Sequence, residues 1–281
     1  DQSPAAGEWF DQECDNLVAA VAEANARGWH VQSWQLAYVL RVFFRARHMI
    51  DQWHATHRLA LRSATKLNAP DAQARLYESL SEAYALENHH QDAWDTARAA
   101  LRLYHEADDP IGIGRSNEML GNTADLLGDP HGAEAHYTQA LSVPEYANDA
   151  YYSMTLRLNL GAFYGRQGRF AEARELFTPV LSTAVAQANW DLACVAHHNI
   201  AIACCRLHAY AEGEFHAGEE IRIAEHHGFT LRAARGWEIL GDVFASQRKP
   251  DAADALSRAL DLYTQLDHPQ ASVVRNDLKC L

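Results

Sequence analysis

The stretch AHHNIAIACCRLH, residues 196–208, carries the side chains best suited to binding a metal ion. His197, Cys204 and His208 are seven and four residues apart, which places them on one stripe of a helix. Two imidazoles and a thiolate could hold zinc if a fourth ligand came from elsewhere. The alternative is that Cys204 fills a core position, and no Cys-x-x-Cys motif accompanies it. On that interpretation we predict no metal site and no cofactor.

Carboxylates at helical spacing are the other candidates for chemistry. Glu78 with Glu82 and Glu118 with Asp125 form such pairs, but acid–base catalysis also requires a dry pocket that shifts a pKa. The sequence has no Gly-x-x-x-x-Gly-Lys-Ser/Thr phosphate-binding loop, and its Gly-x-Gly at residues 112–114 opens a helical pattern without a preceding strand. We therefore predict that the chain is not an enzyme.

The side chains named above belong to a sequence repeat with a constant period of forty residues, and the helices of that repeat determine their positions. Its anchor residues are Leu40, Leu80, Leu120, Leu160, Ile200 and Leu240. The residue after the anchor is small in most units, and the residue four positions on is usually large and apolar. Self-similarity at this period is typical of a solenoid, in which each unit contacts its neighbours.

Each unit has the pattern of two antiparallel helices. Turn-forming sequences separate the two helices, among them Asn88-His89, Gly128-Asp129-Pro130 and Gly168-Arg169. Asp or Asn, often near Pro, stands between units, where it can cap the next helix. The pattern predicts helices throughout and no strand.

The net charge of the chain disfavours two classes of binding partner. The 281 residues carry a formal net charge of -13 and are 48% hydrophobic, which disfavours direct binding to nucleic acid or to an anionic membrane. The segment from Arg41 to Lys66 is a local exception, with six basic residues against one acidic residue, and we expect it to dock an acidic neighbour.

The cysteine pattern and the search for targeting and membrane segments indicate the cellular compartment that we expect for the protein. The five cysteines form no evenly spaced framework, which favours a reduced, cytoplasmic protein. No apolar run approaches the roughly 20 residues of a membrane span, and no signal peptide is visible. Because the chain lacks an initiator Met, we expect it to be part of a longer protein.

The anchor pattern Leu-Gly-x-x-Tyr, the small residue in the second helix and the closing Ala-Leu resemble the tetratricopeptide repeat in a form of about forty residues. The resemblance implies an all-α, right-handed superhelical α-solenoid of about six helix pairs with a further helix at each end. We predict a lead-in helix in residues 1–32, six repeats in 33–268 and a capping helix, or the start of a seventh repeat, in 269–281.

A narrower resemblance concerns the first third of the chain. The segments WFDQECDNLVAAVAEANARG and SWQLAYVLRVFFRARHMIDQWHATHRLALRSATKL are similar to the C-terminal repeat region of actinobacterial transcription activators of the antibiotic regulatory protein (SARP) family and of related signal-transduction (STAND) ATPases. This resemblance implies a regulatory domain in the cytoplasm, attached to DNA-binding and nucleotide-binding domains.

Tetratricopeptide arrays bind through the face lined by their first helices, and the resemblance carries those contact positions onto this chain. The predicted binding residues are Tyr38, Arg45, Arg75, Glu78, Arg115, Glu118, Asn122, Asn159, Arg166, His198, Asn199, Arg206, Arg235 and Glu238. Asp242 lies on the same stripe. Alternatively, the arginines and carboxylates of this stripe pair along each helix and remain solvated.

The predicted ligand is a protein or peptide, or a small effector, bound in the groove. Asn159 and Asn199 match the asparagine that holds a ligand's backbone or carboxylate in peptide-clamping members, and Arg166 and Arg206 add donors for an acidic group. The alternative functions are a free-standing scaffold and an enzyme with an unrecognised pocket. Homo-oligomerisation is left open.

Overall fold

Every regular element of residues 4–281, the part of the chain that this computed structural model describes, is an α-helix. The prediction of an all-α protein is confirmed. The chain divides into two compact units, residues 1–152 and 153–281, with the division falling inside α9. The side chains of residues 7–144, 146 and 148–281 are described. No helix in the described part is long and apolar enough to cross a membrane.

The helices follow one another in antiparallel pairs. Those that begin in the first unit are α1 (Pro4–Ala26), α2 (His30–Arg47), α3 (Ile50–Lys66), α4 (Pro70–Leu86), α5 (His90–Glu106), α6 (Pro110–Leu126), α7 (Pro130–Leu141), α8 (Pro144–Ala147) and α9 (Ala150–Arg166). Those of the second unit are α10 (Phe170–Ala186), α11 (Trp190–Arg206), α12 (Tyr210–His227), α13 (Thr230–Ser246), α14 (Asp251–Gln265) and α15 (Gln270–Asp277).

A residue in the left-handed conformation follows almost every helix. These residues recur about every twenty positions: Gly28, His48, Asn68, Asn88, Asp108, Gly128, Gly168, Ala188, His208, Gly228, Arg248 and Asp267. After each of them the next N–H donates to a carbonyl five residues back, as from His89 to Tyr84 at 2.9 Å. This bond satisfies a carbonyl that the helix end leaves without a partner, and it reverses the chain.

The third pair departs from this rule at Pro144. Proline cannot donate to the helical ladder, and its ring clashes with the carbonyl four residues back. Here the second helix ends at Leu141 and the short α8 begins at Pro144 itself, whereas Pro179 lies inside α10. The ring of Tyr146, on α8, is fully buried and lies against Gly114, where a Cβ atom would overlap it.

Large and small side chains alternate across the helix pairs. Trp53, Phe44 and Leu40 form the core near α2 and α3 in the first unit. In the second unit Phe177 packs with Ile200 and Cys204, and its ring lies over Gly161, the residue after an anchor. The small residue allows the two helices to approach closely, as the sequence pattern indicates.

Two glycines on α9 allow a direct test of this packing. A Cβ at Gly161 would come within 2.5 Å of the Phe177 ring, whereas a Cβ at Gly165 meets nothing within 4 Å. We expect Gly161→Ala to destabilise the fold by about 1–3 kcal/mol. Gly165→Ala should be neutral or stabilise it by up to about 1 kcal/mol, because alanine is the better helix former. Urea unfolding of both variants measures this, and shifts of equal sign and size would contradict it.

Candidate functional site

The second unit contains a cleft of about 630 Å³ between its first helices. Polar residues supplied by α11, α13 and the start of α15 line much of it: His198, Arg206, Arg235, Glu238, Asp242 and Gln270. Four of the residues predicted to bind a ligand therefore come together in one cavity, namely His198, Arg206, Arg235 and Glu238.

The forty-residue period sets the register of this cleft. Residues forty positions apart occupy equivalent places on successive first helices, so that His198 on α11 corresponds to Glu238 on α13. The contact of Cys205 Sγ with Ser246 Oγ, at 3.5 Å, shows the two helices side by side at this register. Polar residues on one face of each helix are thereby brought into a single wall.

Glu238 is held by two hydrogen bonds. Tyr263 Oη donates to one carboxylate oxygen at 2.6 Å, and Gln270 Nε2 donates to the other at 2.6 Å. Tyr263 is buried and stacks on His268, with ring centroids 5.2 Å apart. The carboxylate is therefore fixed in position by the second helix of its own pair and by the helix that follows.

Asp242 lies one helical turn beyond Glu238 on α13. It is accessible to solvent within the cleft, but the surrounding protein removes much of its hydration. That desolvation, followed by repulsion from Glu238 and Asp277, raises the pKa of Asp242 to about 6, although Arg206 opposes the shift. At neutral pH the site therefore holds a carboxylate whose charged form is disfavoured.

Two arginines of the cleft form no ion pair with another described residue. Arg206 is exposed and Arg235 is half-buried, and neither forms an ion pair within 4.0 Å in the described part of the chain. A guanidinium presents a planar fork of donors that suits carboxylate or phosphate oxygens. In a protein with a net charge of -13, such cations in a cavity are well placed to meet an anion.

His198 is oriented by a buried carboxylate behind the cleft. Its Nδ1 lies 3.0 Å from Oε2 of Glu220, a residue of α12 that is 0% exposed. The second carboxylate oxygen, Oε1, has no hydrogen-bond partner. Burial raises the pKa of Glu220, while the hydrogen bond from His198 opposes that shift. Because Nδ1 is occupied, Nε2 is the ring nitrogen of His198 left for a ligand.

Equivalent positions in the first unit are occupied by complementary charges. Arg115 forms an ion pair with Glu78, and Tyr104 Oη donates to the same carboxylate at 2.8 Å. Arg45 bonds to Glu82 at 2.9 Å. These ion pairs join neighbouring first helices, and do not run along one helix as the alternative interpretation of the sequence supposes.

The remaining predicted residues of the first unit also have partners inside the protein. Glu118 is buried and accepts a hydrogen bond from Tyr146. Asn122 accepts one from Tyr137 at 2.6 Å. Arg41 lies over the Tyr38 ring, 3.8 Å from its centroid, and Arg75 has a hydrogen bond with Tyr38.

Three predicted residues lie away from the lining of the cleft. Asn159 is half-buried and Arg166 is exposed, both on α9, and Asn199 is half-buried on α11. Their assignment to ligand binding remains a prediction.

The histidines and cysteine considered for zinc do not converge. Nδ1 of His197 lies 2.8 Å from Nδ1 of His216. Cys204 is buried in the core beside Phe177, and Nδ1 of His208 bonds to Tyr210 at 2.7 Å. Across the described residues, no group of three His, Cys, Asp or Glu side chains is arranged to hold a metal ion.

Sequence analysis missed the side chains that hold the site from behind. Glu220, Tyr263 and Gln270 come from α12, α14 and α15, outside the stripe of first-helix positions. A tyrosine bonded to a first-helix glutamate recurs as Tyr104 and Glu78, Tyr146 and Glu118, and Tyr263 and Glu238. Tyr104 and Tyr263 lie near the ends of second helices, so a search of those positions for polar partners could have found that pattern.

The sequence matches no protein-family model and no curated protein. Its fold is nevertheless similar to several solved structures. A Signal Transduction ATPase with Numerous Domains that has a tetratricopeptide repeat sensor, from Pyrococcus horikoshii, superimposes with a TM-score of 0.73 at 16% identity. The match covers 89% of this chain and 38% of that one, so the chain spans well under half of that ATPase.

Two Rap proteins give related matches. The apo form of RapI has a TM-score of 0.66 at 10% identity, covering 89% of this chain and 100% of that one. A Rap protein in complex with competence and sporulation factor has a TM-score of 0.62 at 15% identity, covering 88% and 74%. Together with the helix pairs, these similarities establish a helical-repeat fold of the tetratricopeptide type, as the resemblance in the sequence implies.

The raised pKa of Asp242 predicts a specific effect on stability. Its folded pKa of about 6 exceeds the unfolded value of about 3.9, so its unfavourable contribution is absent below about pH 4 and complete above about pH 6. Asp242→Asn should therefore stabilise the protein at pH 7.5 by about 1 kcal/mol, after allowance for solvent screening. The gain should vanish at pH 4.

Thermal unfolding at the two pH values measures this effect. Asp261→Asn, at an exposed position on α14, is the control and should change stability little at either pH. An Asp242→Asn variant no more stable than the native protein at pH 7.5 would show that this carboxylate is not strained.

Proposed function

We propose that the chain is a ligand-sensing and protein-interaction module that recognises a peptide or a protein segment in the cleft of its second unit. The observation that carries this proposal is the presence of Arg206 and Arg235 in a cavity of about 630 Å³, neither of them in an ion pair with a described residue. The polar lining of this cavity offers both donors and acceptors, as an extended peptide requires. No catalytic step is part of the proposal.

The similar structures support a sensing role by analogy of fold. The repeat region of the Pyrococcus protein is described as a sensor, and one Rap protein is seen in complex with competence and sporulation factor. At 10–16% identity these similarities establish the fold alone, so the binding role of this chain rests on its own cleft.

The more specific proposal follows from the resemblance of the first third of the sequence. We infer that the module is the regulatory C-terminal domain of a cytoplasmic transcription activator of secondary metabolism, attached to DNA-binding and nucleotide-binding domains. Occupancy of the cleft would shift the equilibrium between inhibited and active forms of those domains, to the extent that the ligand binds one form more tightly. In that case, deletion of the module should alter activation of target genes.

Substitution of the two arginines tests the binding role. We expect the native chain to capture a peptide or protein from its own cytosol, and Arg206→Gln combined with Arg235→Gln to lose it, because charge-assisted hydrogen bonds are lost. Mass spectrometry of the captured material is the measurement. The matched control combines Arg248→Gln with Arg275→Gln at two exposed positions of the same unit.

The captured material should be the same for the control and the native chain. If the cleft variant also captures the same set, the cleft is not the recognition surface. If neither retains anything beyond an unrelated protein, a sensing role through a captured partner is wrong.

A further inference from the structure

Residues of the two units can be compared directly, because the numbers of equivalent residues differ by a multiple of forty. Arg115 and Glu78 are 37 residues apart and form an ion pair between successive first helices. Arg235 and His198 are also 37 residues apart and occupy the same two places in the second unit. Where the first unit has a carboxylate facing the arginine, the second has an imidazole.

A second ion pair is lost in the same way. Arg45 and Glu82, again 37 residues apart, are bonded in the first unit. The equivalent residues of the second unit are Cys205 and Asp242. The second unit therefore keeps the arginine of one pair and the carboxylate of the other but lacks the partner of each.

In the second unit, the carboxylate beside His198 lies on the second helix of the pair and not on the first. In the first unit, Tyr104 on α5 donates to Glu78 on α4. In the second unit, Glu220 on α12 faces His198 on α11. Glu220 stands at the position of Ala100 in the first unit. The negative charge of the second unit therefore lies behind His198, and Nε2 of His198 is left on the side of the cavity.

We propose that the cleft binds an oxyanion of its ligand, a carboxylate or a phosphate, between Arg235, Arg206 and His198, and that Glu220 is the residue that positions His198 for this contact. The oxyanion would supply to Arg235 the negative charge that the Glu78 carboxylate supplies to Arg115 in the first unit. This inference rests on the proposed function and specifies the chemistry of the ligand.

Protonation of the His198 and Glu220 pair should be coupled to binding. The groups that face Glu220 are His198 and Cys194 on α11, Arg232 and Arg235 on α13, and Tyr263 on α14. Glu238 and Asp242 share the cleft with His198. A bound anion favours the imidazolium form of His198, and a proton taken up by Asp242 removes repulsion. Both effects strengthen binding as the pH falls from 8 to 6.

Three oxyanion probes distinguish the sources of the anion. They are an acetylated and amidated tetraglutamate peptide, acetylated tetraglycine with a free C-terminus, and inorganic phosphate, each measured by calorimetry at pH 6 and pH 8. We expect saturable binding of at least one probe. For the two peptides, whose carboxylates stay ionised from pH 6 to pH 8, binding should be weaker at pH 8. Arg235→Gln should weaken it about tenfold at both pH values, as expected for a lost charge-assisted hydrogen bond. Arg248→Gln should leave it unchanged.

Variants of the pair test the positioning role of Glu220. Glu220→Gln keeps the shape of the side chain but cannot stabilise an imidazolium, so the difference in affinity between pH 6 and pH 8 should shrink. Asp242→Asn removes the other titrating group of the cleft and should leave a difference of the same sign. If Glu220→Gln retains the full difference, Glu220 does not act through His198.

The double variant His198→Glu with Glu220→Gln puts back the glutamate that stands at the equivalent position of the first unit, Glu78, and removes the buried charge behind it. It should place a carboxylate opposite Arg235 again, raise the melting temperature and abolish binding of the oxyanion probes. A folded double variant that binds these probes like the native chain would overturn the proposal, as would a native chain that binds none of them. If a cytosolic partner is still captured through the arginines while no oxyanion binds, this inference fails and the proposed function stands.

Discussion

A left-handed residue at nearly every helix end is the constraint on which the rest of the structure depends. It reverses the chain about every twenty residues. Within each unit, first helices of successive pairs then lie side by side, as α2 and α4, α4 and α6, and α11 and α13 do. Residues forty positions apart are then equivalent, and residues 37 positions apart can meet across neighbouring helices, as Arg45 and Glu82 do. The polar face of the first helices in each unit is a consequence of this register, because the residue types in the sequence determine which charges occupy fixed places.

The two units use those places differently. In the first unit, Arg45 and Arg115 each face a glutamate, and a tyrosine donates to Glu78 from the second helix. In the second unit, a histidine and a cysteine replace one member of each pair, and a cavity opens beside them. Unpaired charge and open space occur at the same positions, which links the chemistry of the cleft to two substitutions within one repeat pattern.

The sequence predicts the helices and their register well because both depend on local and periodic signals. Small residues after the anchors, such as Gly161, and turn residues such as Gly168 are sufficient to place the pairs. Four residues of the predicted first-helix stripe line one cleft, namely His198, Arg206, Arg235 and Glu238. Their role in binding stays a proposal.

The rest of the site could not be predicted from the pattern. Glu220 and Gln270 reach their partners from elements outside the stripe, and only three-dimensional packing decides that Glu220 is buried while Glu82 stays accessible. The pKa of Asp242 likewise depends on desolvation by neighbouring helices, which has no signature in one sequence.

The cleft combines several features that stability alone would not retain. A fully buried carboxylate with one oxygen unsatisfied, a half-buried arginine without a counterion and an aspartate whose charged form is disfavoured each oppose folding. Apolar residues, or the ion pairs of the first unit, would occupy the same places at lower free energy. Costs of this kind at one location are typical of binding sites, where local rules are broken and compensated elsewhere. An anion bound between Arg235 and His198 would offset part of this free-energy cost, because it would supply the negative charge opposite Arg235.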